Sequence, residues 1–448
     1  MIPLHKKECT LVRKNYRPVA ILSPLSRILE KHIYEQIYGY FTRNGILHQN
    51  MHWYRRNRST QTALLQMYDR WVYAASQGQV SGSVLLDLSA AFDLVPPSIL
   101  LKKLEIYGLE PDYLCWIQSY LTGRQQCVWI DHRASSFLHC EVGVPQGSNL
   151  GPLFFLLFVN DLSFNLECDM EQYADDSTLS ATGSTIEEIN DKLTYNCQIV
   201  SKWMESNQLK LNADKTHILT LGTDRRLQIP GNKVTVVMDG VTLEESAEKV
   251  ETLLGCQIQA NLKWHLQVKE LKSRLRKRLV GLNYIKFILP FHTRKAVSDG
   301  MFNSILVYCL PLFGGCGTQE VKELQVLQNK AVRIVTHSPL RAGREEMFDQ
   351  LGWLSVKQLI LYHSLLSVYR IRSSQEPEYL ASRLSRENRH GNIILPKTNL
   401  SLYRNSFAYR AASDWNRLPQ GLRQIRILKN FKKELKSWIK REIPRFID

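Results

Sequence analysis

Two adjacent carboxylates, Asp175 and Asp176, close the segment Tyr173-Ala174-Asp175-Asp176, and a third, Asp87, ends the apolar run Val84-Leu85-Leu86. Neighbouring side chains on a strand point to opposite faces, so an acid pair there is rarely a packing feature; one member aims at a site and the other braces it. Such oxygens suit Mg²⁺, which takes oxygen ligands in octahedral geometry. Two such ions about 3.5–4 Å apart clamp both the attacking and the leaving oxygen of a phosphoryl transfer. Three carboxylates at the ends of neighbouring strands would hold that pair, and the chemistry to expect is metal-assisted phosphoryl transfer.

The segments around the acids therefore have to be strands of one sheet. Val84 to Asp87 reads as a short buried strand, followed after paired prolines by a helix around Ile99 to Leu104. A strand pair is expected around Tyr173 to Thr178. Between the acids, Cys127 to Ile130 and Phe137 to Val142 read as a hairpin, and the wholly apolar run Leu153 to Val159 behind Gly151-Pro152 as a buried helix. Upstream, Leu25-Ile28-Leu29-Ile33-Ile37 recurs at helical spacing, and Thr62 to Trp71 makes a second helix. Downstream, Ser184-Thr185-Ile186-Glu187 is a capping box opening a helix whose stripe is Ile186, Ile189, Leu193, Val200, Trp203 and Met204. A strand at His217 to Leu221 follows, then a hairpin turning at Asp239-Gly240. Leu271, Leu275 and Leu279 march at i+4 between basic residues, a face that either solvates itself or grips a duplex through its phosphates. Near the end, Phe431, Leu435, Trp438 and Ile439 share one helical face opposite lysines, a core stripe more than a partner site.

At 448 residues the chain is long enough for about three domains. Lys and Arg number 58 against 42 Asp and Glu, an excess of 16 that favours a polyanionic partner; from Lys397 onward the count is 13 basic to 4 acidic. Nucleic acid is favoured over membrane, because no Trp/Phe-faced basic helix dominates. Nine cysteines are scattered without a C-x-x-C pair, which gives neither a disulfide framework nor a zinc knuckle and fits a reducing, intracellular compartment. The longest apolar run is far below the ~20 residues of a membrane span. No membrane association is expected.

The motifs resemble those of reverse transcriptases. Asp87-Leu88-Ser89-Ala90-Ala91-Phe92-Asp93, Gly143 to Pro152 and Tyr173-Ala174-Asp175-Asp176 resemble the family's motifs A, B and C, and their wording is similar to that of non-LTR (LINE-type, jockey-like) retrotransposons. Asn15-Tyr16-Arg17-Pro18-Val19, Arg58-Ser59-Thr60, Asn212 to Thr216 and Leu254-Gly255-Cys256 add further matches, the last two resembling motifs D and E. Asp414-Trp415-Asn416-Arg417-Leu418-Pro419 resembles the tail of many such polyproteins. Four ordered motifs with a Gly/Pro-rich loop between the acids are far more specific than one acid pair.

The resemblance implies an α+β right-hand fold: residues 1–80 as partial fingers, 81–260 as palm with the remaining fingers elements, 261–340 as thumb, and 341–448 as a helical basic C-terminal region. It implies an RNA-directed DNA polymerase that extends a 3′-hydroxyl on an RNA template by two-metal nucleotidyl transfer. Mg²⁺, with Mn²⁺ as substitute, would sit on Asp87, Asp175 and Asp176, and Lys215 would protonate the leaving pyrophosphate unless it is simply solvated. Phe92 resembles the aromatic ring beneath the incoming sugar, where a flat apolar wall leaves a 2′-hydroxyl no partner; the competing reading is a core Phe. Leu88, Gln146 and Gly147 would meet the nucleotide, with glycine allowing close backbone approach, and Arg55 and Arg17 the triphosphate. Gly255, Lys272, Arg276 and Arg278 would contact nucleic acid. Implied partners are an RNA template, a DNA primer, deoxynucleoside triphosphates and a separate endonuclease, in a ribonucleoprotein of nucleus and cytoplasm.

The match departs in two places. The family's Gly-Phe-Arg triplet reads Trp53-Tyr54-Arg55, and Met1 to Lys7 resembles the middle of a longer finger segment, as in a 5′-truncated copy. The alternative to an active polymerase is a truncated relic that binds nucleic acid without extending it.

Overall fold

A computed structural model describes residues 1–6, 9–88, 91–211, 216–243, 245, 248–339 and 341–446. Its centre is a four-stranded antiparallel sheet in the order His217–Leu221, Val80–Asp87, Asp176–Gly183, Asp169–Tyr173. Strand alternation assigns its faces. Ser83 lies opposite Ser180, Gly82 opposite Ala181 and Asp87 opposite Asp176, so at period two both aspartates share the face of the two serines.

Each face carries a helix. Ile186–Ser206 lies on the Gly82 side, so close that a Cβ added at Gly82 would stand 2.7 Å from Ile189 Cγ2 and 2.8 Å from Leu193 Cδ1. Thr60–Ser76 lies on the serine side, where Trp71 Nε1 donates to Ser180 Oγ at 3.2 Å, and Ser180 and Ser83 share a hydroxyl hydrogen bond of 2.9 Å. The buried apolar residues divide accordingly. One core joins Val84, Leu86 and Leu179 to Ile189 and to the helix Leu150–Phe158, almost all of whose side chains are buried. The other joins Leu64 and Trp71 to Leu271, Leu275 and Leu279 of the helix His265–Ile285 and to Phe348, Leu365, Trp415, Phe431 and Leu435. Helix Thr60–Ser76 is thus an early segment built into the core of the last third of the chain.

The expected α+β class and most expected elements are present: helices Pro97–Ile106 and Leu428–Glu442, the strand His217–Leu221, and a hairpin Val236–Met238 to Val241–Leu243 with Asp239 at φ 51° and Gly240 at φ 75°. Four details differ. Instead of one hairpin of Cys127 to Ile130 with Phe137 to Val142, Arg124–Gln126 pairs with Leu138–Cys140 and Trp129–Ile130 turns back on Arg133–Ala134, because Asp131 and His132, at φ 46° and 66°, close a tight two-residue turn. The cap of Ile186–Ser206 is Thr185, whose side chain accepts from Glu188 N, because the strand runs on through Gly183 and the helix starts later than the Ser184 box requires. Trp203 is only partly buried in that helix's stripe, where Cys197 takes a place in the core. In Pro24–Arg43 the apolar residues Leu25, Ile28 and Leu29 are 78%, 69% and 52% exposed, while Glu30 is buried with Ile37, Tyr38 and Phe41. Glu30 holds the helix in that rotation by accepting from Tyr120 Oη at 2.9 Å and from Asn149 N at 2.7 Å, which satisfies a carboxylate that is costly to bury alone.

Candidate active site

Asp87 and Asp176 are direct cross-strand partners at the end of the sheet, a geometry that sets their Cβ atoms about 4.5–5.5 Å apart on one face. Asp175 precedes them in a two-residue hairpin, Tyr173 pairing with Asp176 across Ala174 at φ 59°. The turn is tied to the first strand, since Leu88 N donates to Asp175 O at 3.4 Å. All three acids of the sequence reading therefore lie in one corner. Among the described residues no group of three or more His, Cys, Asp or Glu already converges as a metal cage. Two in-register carboxylates with a third beside them nevertheless suit Mg²⁺, which is commonly held by one or two carboxylates plus substrate phosphates.

A strap of chain, residues 50–58, is stitched to the strand that leads into the acid turn. His52 N donates to Gln172 O at 2.9 Å and Gln172 N to Asn50 O at 3.0 Å. Behind it lies a buried polar cluster: His52 Nε2 is 3.2 Å from Glu171 Oε2, Gln66 Nε2 donates to Glu171 at 3.1 Å, and Arg70 pairs with both Glu171 and Asp169. Burial alone would raise the Glu171 carboxyl, but the hydrogen bond from His52 and the charge of Arg70 outweigh it and hold it below its ordinary value. Burial pushes His52 down despite Glu171 beside it. Sequence reasoning missed this cluster. The available signal was Glu171 itself, an acid within a strand two residues before Tyr173 that requires a partner if buried.

The strap carries Trp53 into an aromatic box. Its ring stands 5.5 Å from Phe92 and 6.3 Å from Phe155, and Phe92 lies 4.3 Å from Phe155. Trp53, at the position where the resemblance leads one to expect glycine, is thus seated beside the half-buried Phe92. Tyr54 at φ 55° donates through Oη to Asn149 O at 2.9 Å, tying the strap to the start of helix Leu150–Phe158. Over the box runs the loop 143–147. Gly143 N donates to Val95 O at 2.8 Å and Val144 N to Phe92 O at 2.9 Å. Gly143 is at φ +85°, where a Cβ would meet Asp93 O at 2.7 Å, and Gly147 is at φ +104°, where one would meet Ala20 O at 2.8 Å. The close approach that these glycines permit is to this chain's own backbone. Gln146 Nε2 donates to Asp93 Oδ1 at 2.8 Å, and burial raises the Asp93 carboxyl against that bond.

The other sequence-derived candidates divide. The Leu88 side chain is buried and its N–H is used on Asp175. Arg17 is exposed on the two-stranded sheet Ile2–His5 with Tyr16–Val19. Arg55 donates through Nη1 to His48 O at 2.7 Å and lies 3.6 Å from Glu376, so it is directed to the C-terminal part of the chain. Gly255, at φ +80°, turns the hairpin Val250–Leu253 to Cys256–Gln259, and Tyr308 Oη donates to Leu254 O at 2.6 Å beside it. On helix His265–Ile285, Lys272 is paired with Glu323 while Arg276 and Arg278 are exposed. Lys215 lies outside the described residues, as do Ser89 and Ala90.

The chain is similar to known proteins. Residues 4–275 match the family described as "Reverse transcriptase (RNA-dependent DNA polymerase)". The chain is 26% identical over 384 residues to the "Probable RNA-directed DNA polymerase from transposon BS" of Drosophila melanogaster, covering 83% of this chain and 41% of that one. It is 24% identical over 382 residues to the "RNA-directed DNA polymerase from mobile element jockey" of Drosophila funebris, covering 83% and 40%. The chain thus spans about two fifths of the length of these curated relatives. Among solved structures, a Candida tropicalis telomerase in complex with a telomeric RNA fragment aligns over 93% of this chain and 57% of its own, at 11% identity and a TM-score of 0.39. No helix among the described residues is long and apolar enough to cross a membrane. The chain belongs to the reverse transcriptase family.

Proposed function

We propose that this member of the reverse transcriptase family is an RNA-directed DNA polymerase of a non-LTR retrotransposon, extending a primer 3′-hydroxyl on an RNA template with deoxynucleoside triphosphates. The observation that carries the reading is the cross-strand pairing of Asp87 with Asp176, with Asp175 held beside them by the bond to Leu88. These carboxylates would hold Mg²⁺, or Mn²⁺ in its place. The ion would supply charge neutralisation at the triphosphate and a lowered pKa at the primer hydroxyl.

The protein's own part is positioning. The Asp87–Asp176 pair presents oxygens on one face, and the His52–Glu171–Arg70 cluster keeps the adjoining strap in register with the acid turn. Phe92, backed by Trp53 and Phe155, presents an apolar wall to the incoming sugar and leaves a ribose 2′-hydroxyl unpaired. Gln146, oriented by Asp93, is the polar contact at the rim. In this reading residues 1–80 belong to the fingers, 81–260 mainly to the palm, 261–340 to the thumb and 341–448 to a C-terminal region. Gly255, Arg276 and Arg278 face the primer–template. A separate endonuclease and a ribonucleoprotein moving between cytoplasm and nucleus complete the proposal.

Primer extension on poly(rA)/oligo(dT) with Mg²⁺ or Mn²⁺ tests it. Extension that Asp175→Asn abolishes is the expected result. RNA bound without extension by the unsubstituted chain would leave only a nucleic-acid-binding relic.

A further inference from the structure

The C-terminal region contains a cavity of about 740 Å³ that no motif of the polymerase explains. It is lined by three guanidinium side chains, Arg372, Arg423 and Arg426, with Tyr369, Trp415 and Gln424. Arg372 and Tyr369 come from the helix Val356–Ser374, Trp415 from the helix Phe407–Asn416, and Arg423 from the short turn that follows. Two separate segments thus bring positive charge to one concavity, and a third adds the Trp415 ring to its lining.

The guanidiniums differ in what already occupies them. Arg372 is fixed: its guanidinium lies 5.3 Å from the centre of the Trp415 ring, donates to Leu384 O at 3.0 Å and pairs with Glu387. Arg423 is half engaged, donating through Nη1 to Gly391 O and to Asn392 Oδ1, each at 3.0 Å, while its Nε is buried without a partner. The exposed Arg426 makes no side-chain hydrogen bond or ion pair among the described residues; only its backbone carbonyl is used, accepting from Tyr369 Oη at 2.6 Å. No carboxylate is among the residues that line the cavity, and of the three guanidiniums Arg372 alone has an ion pair among the described residues, with Glu387. The site is electropositive, partly preorganised and incomplete in its hydrogen bonding.

We infer that this cavity binds the backbone phosphates of single-stranded RNA. Planar guanidiniums match phosphate oxygens bidentately. The volume exceeds the space of a single phosphate several times over, which leaves room for an attached nucleoside. The surrounding segment, with its 13 basic and 4 acidic residues from Lys397 on, draws a polyanion toward the opening. The inference rests on the reading that the chain handles RNA, but it assigns that contact to a place remote in sequence from the acids.

The test is fluorescence anisotropy with a labelled 20-nucleotide oligo(rU) across a salt series, comparing the unsubstituted chain with Arg426→Gln and Arg423→Gln. Arg426→Gln removes no side-chain bond of the folded chain, so it remains informative even if Arg423→Gln destabilises the turn. Affinity is expected to fall about fivefold for Arg426→Gln, and the log–log salt slope to shrink by about 0.7 for each phosphate that is no longer neutralised. Unchanged affinity and slope in Arg426→Gln would overturn the inference. So would Arg426-dependent binding of inorganic phosphate with unaltered oligo(rU) affinity, which would mark a free-anion site. Failure of the unsubstituted chain to extend a primer would count against the polymerase reading only; an Arg426-dependent RNA affinity would still stand.

Discussion

The corner of the sheet that holds the acids and the helical region that closes the chain are built on different physics. Around Asp87, Asp175 and Asp176, position is set by backbone register and buried polar links: strand pairing, the Leu88–Asp175 bond, and His52, Gln66 and Arg70 converging on Glu171. Around Phe431 and Trp415, it is set mainly by apolar burial, with Tyr369 stacked 4.3 Å from Phe431. Polar links are directional and fail locally when one partner is removed. Apolar packing is distributed, and its loss is felt by everything that shares the core. The two meet at helix Thr60–Ser76, whose Trp71 reaches the sheet while Asp69 accepts from Tyr379 Oη at 2.8 Å and lies 3.6 Å from Arg383.

Substitutions can break this contrast at either end. The largest effect belongs to the acids. Asp175→Asn should lower primer extension by at least about a thousandfold, the scale of several kcal/mol of lost transition-state charge stabilisation, with a thermal midpoint within a few degrees of the unsubstituted chain. A comparable drop in midpoint would mean that the carboxylate is structural. Phe431→Ala should do the reverse. Truncating a fully buried ring costs about 3–5 kcal/mol, readable by urea unfolding, and extension should fail because helix Thr60–Ser76 loses its support. Normal stability would separate that helix from the C-terminal core. On the same grounds, deleting residues 397–448 should disrupt the fold, whereas a freely solvated basic tail would cost only template affinity.

Acid tests the comparison next. His363, in helix Val356–Ser374, is pushed down to about 4 by burial, from the ordinary 6.5, with the charge of Arg370 adding to the effect. The folded chain therefore resists a proton that the unfolded chain accepts. No cost exists well above pH 6.5, stability falls as pH drops from 6.5 toward 4, and the full loss approaches about 3 kcal/mol. Burial pushes His52 in the same direction, so the informative quantity is the difference between the unsubstituted chain and His363→Gln in unfolding curves from pH 7 to 4.5. Parallel curves would remove His363 as the cause. The smallest effect is at the sugar wall: Phe92→Val should raise ribonucleotide use relative to deoxynucleotide use by about tenfold, and unaltered discrimination would make Phe92 only a member of the aromatic box.

The strand ends, the acid turn and the Asp239-Gly240 hairpin were legible because each is written in residues close together in the chain, in alternation or turn chemistry. What escaped notice was non-local. His52 and Glu171 are 119 residues apart, and nothing in either segment names the other. Pro24–Arg43 shows how a local pattern misleads: Leu25, Ile28 and Leu29 make a convincing stripe, yet the face that packs is decided by Tyr120 and Asn149, which capture Glu30. Trp53 is similar. Read alone it breaks a motif; in the fold it is one wall of the box around Phe92. Arg55, placed by motif near a triphosphate, turns to Glu376, a partner that only tertiary structure supplies.

Helix Thr60–Ser76 also has a history during synthesis. The residues that cover its outer flank, such as Tyr379 against Asp69, leave the ribosome 310 positions later. Until then the nascent chain displays an unshielded greasy ridge beside a half-finished sheet, so the maturing polypeptide is a natural client for chaperones that bind hydrophobic segments.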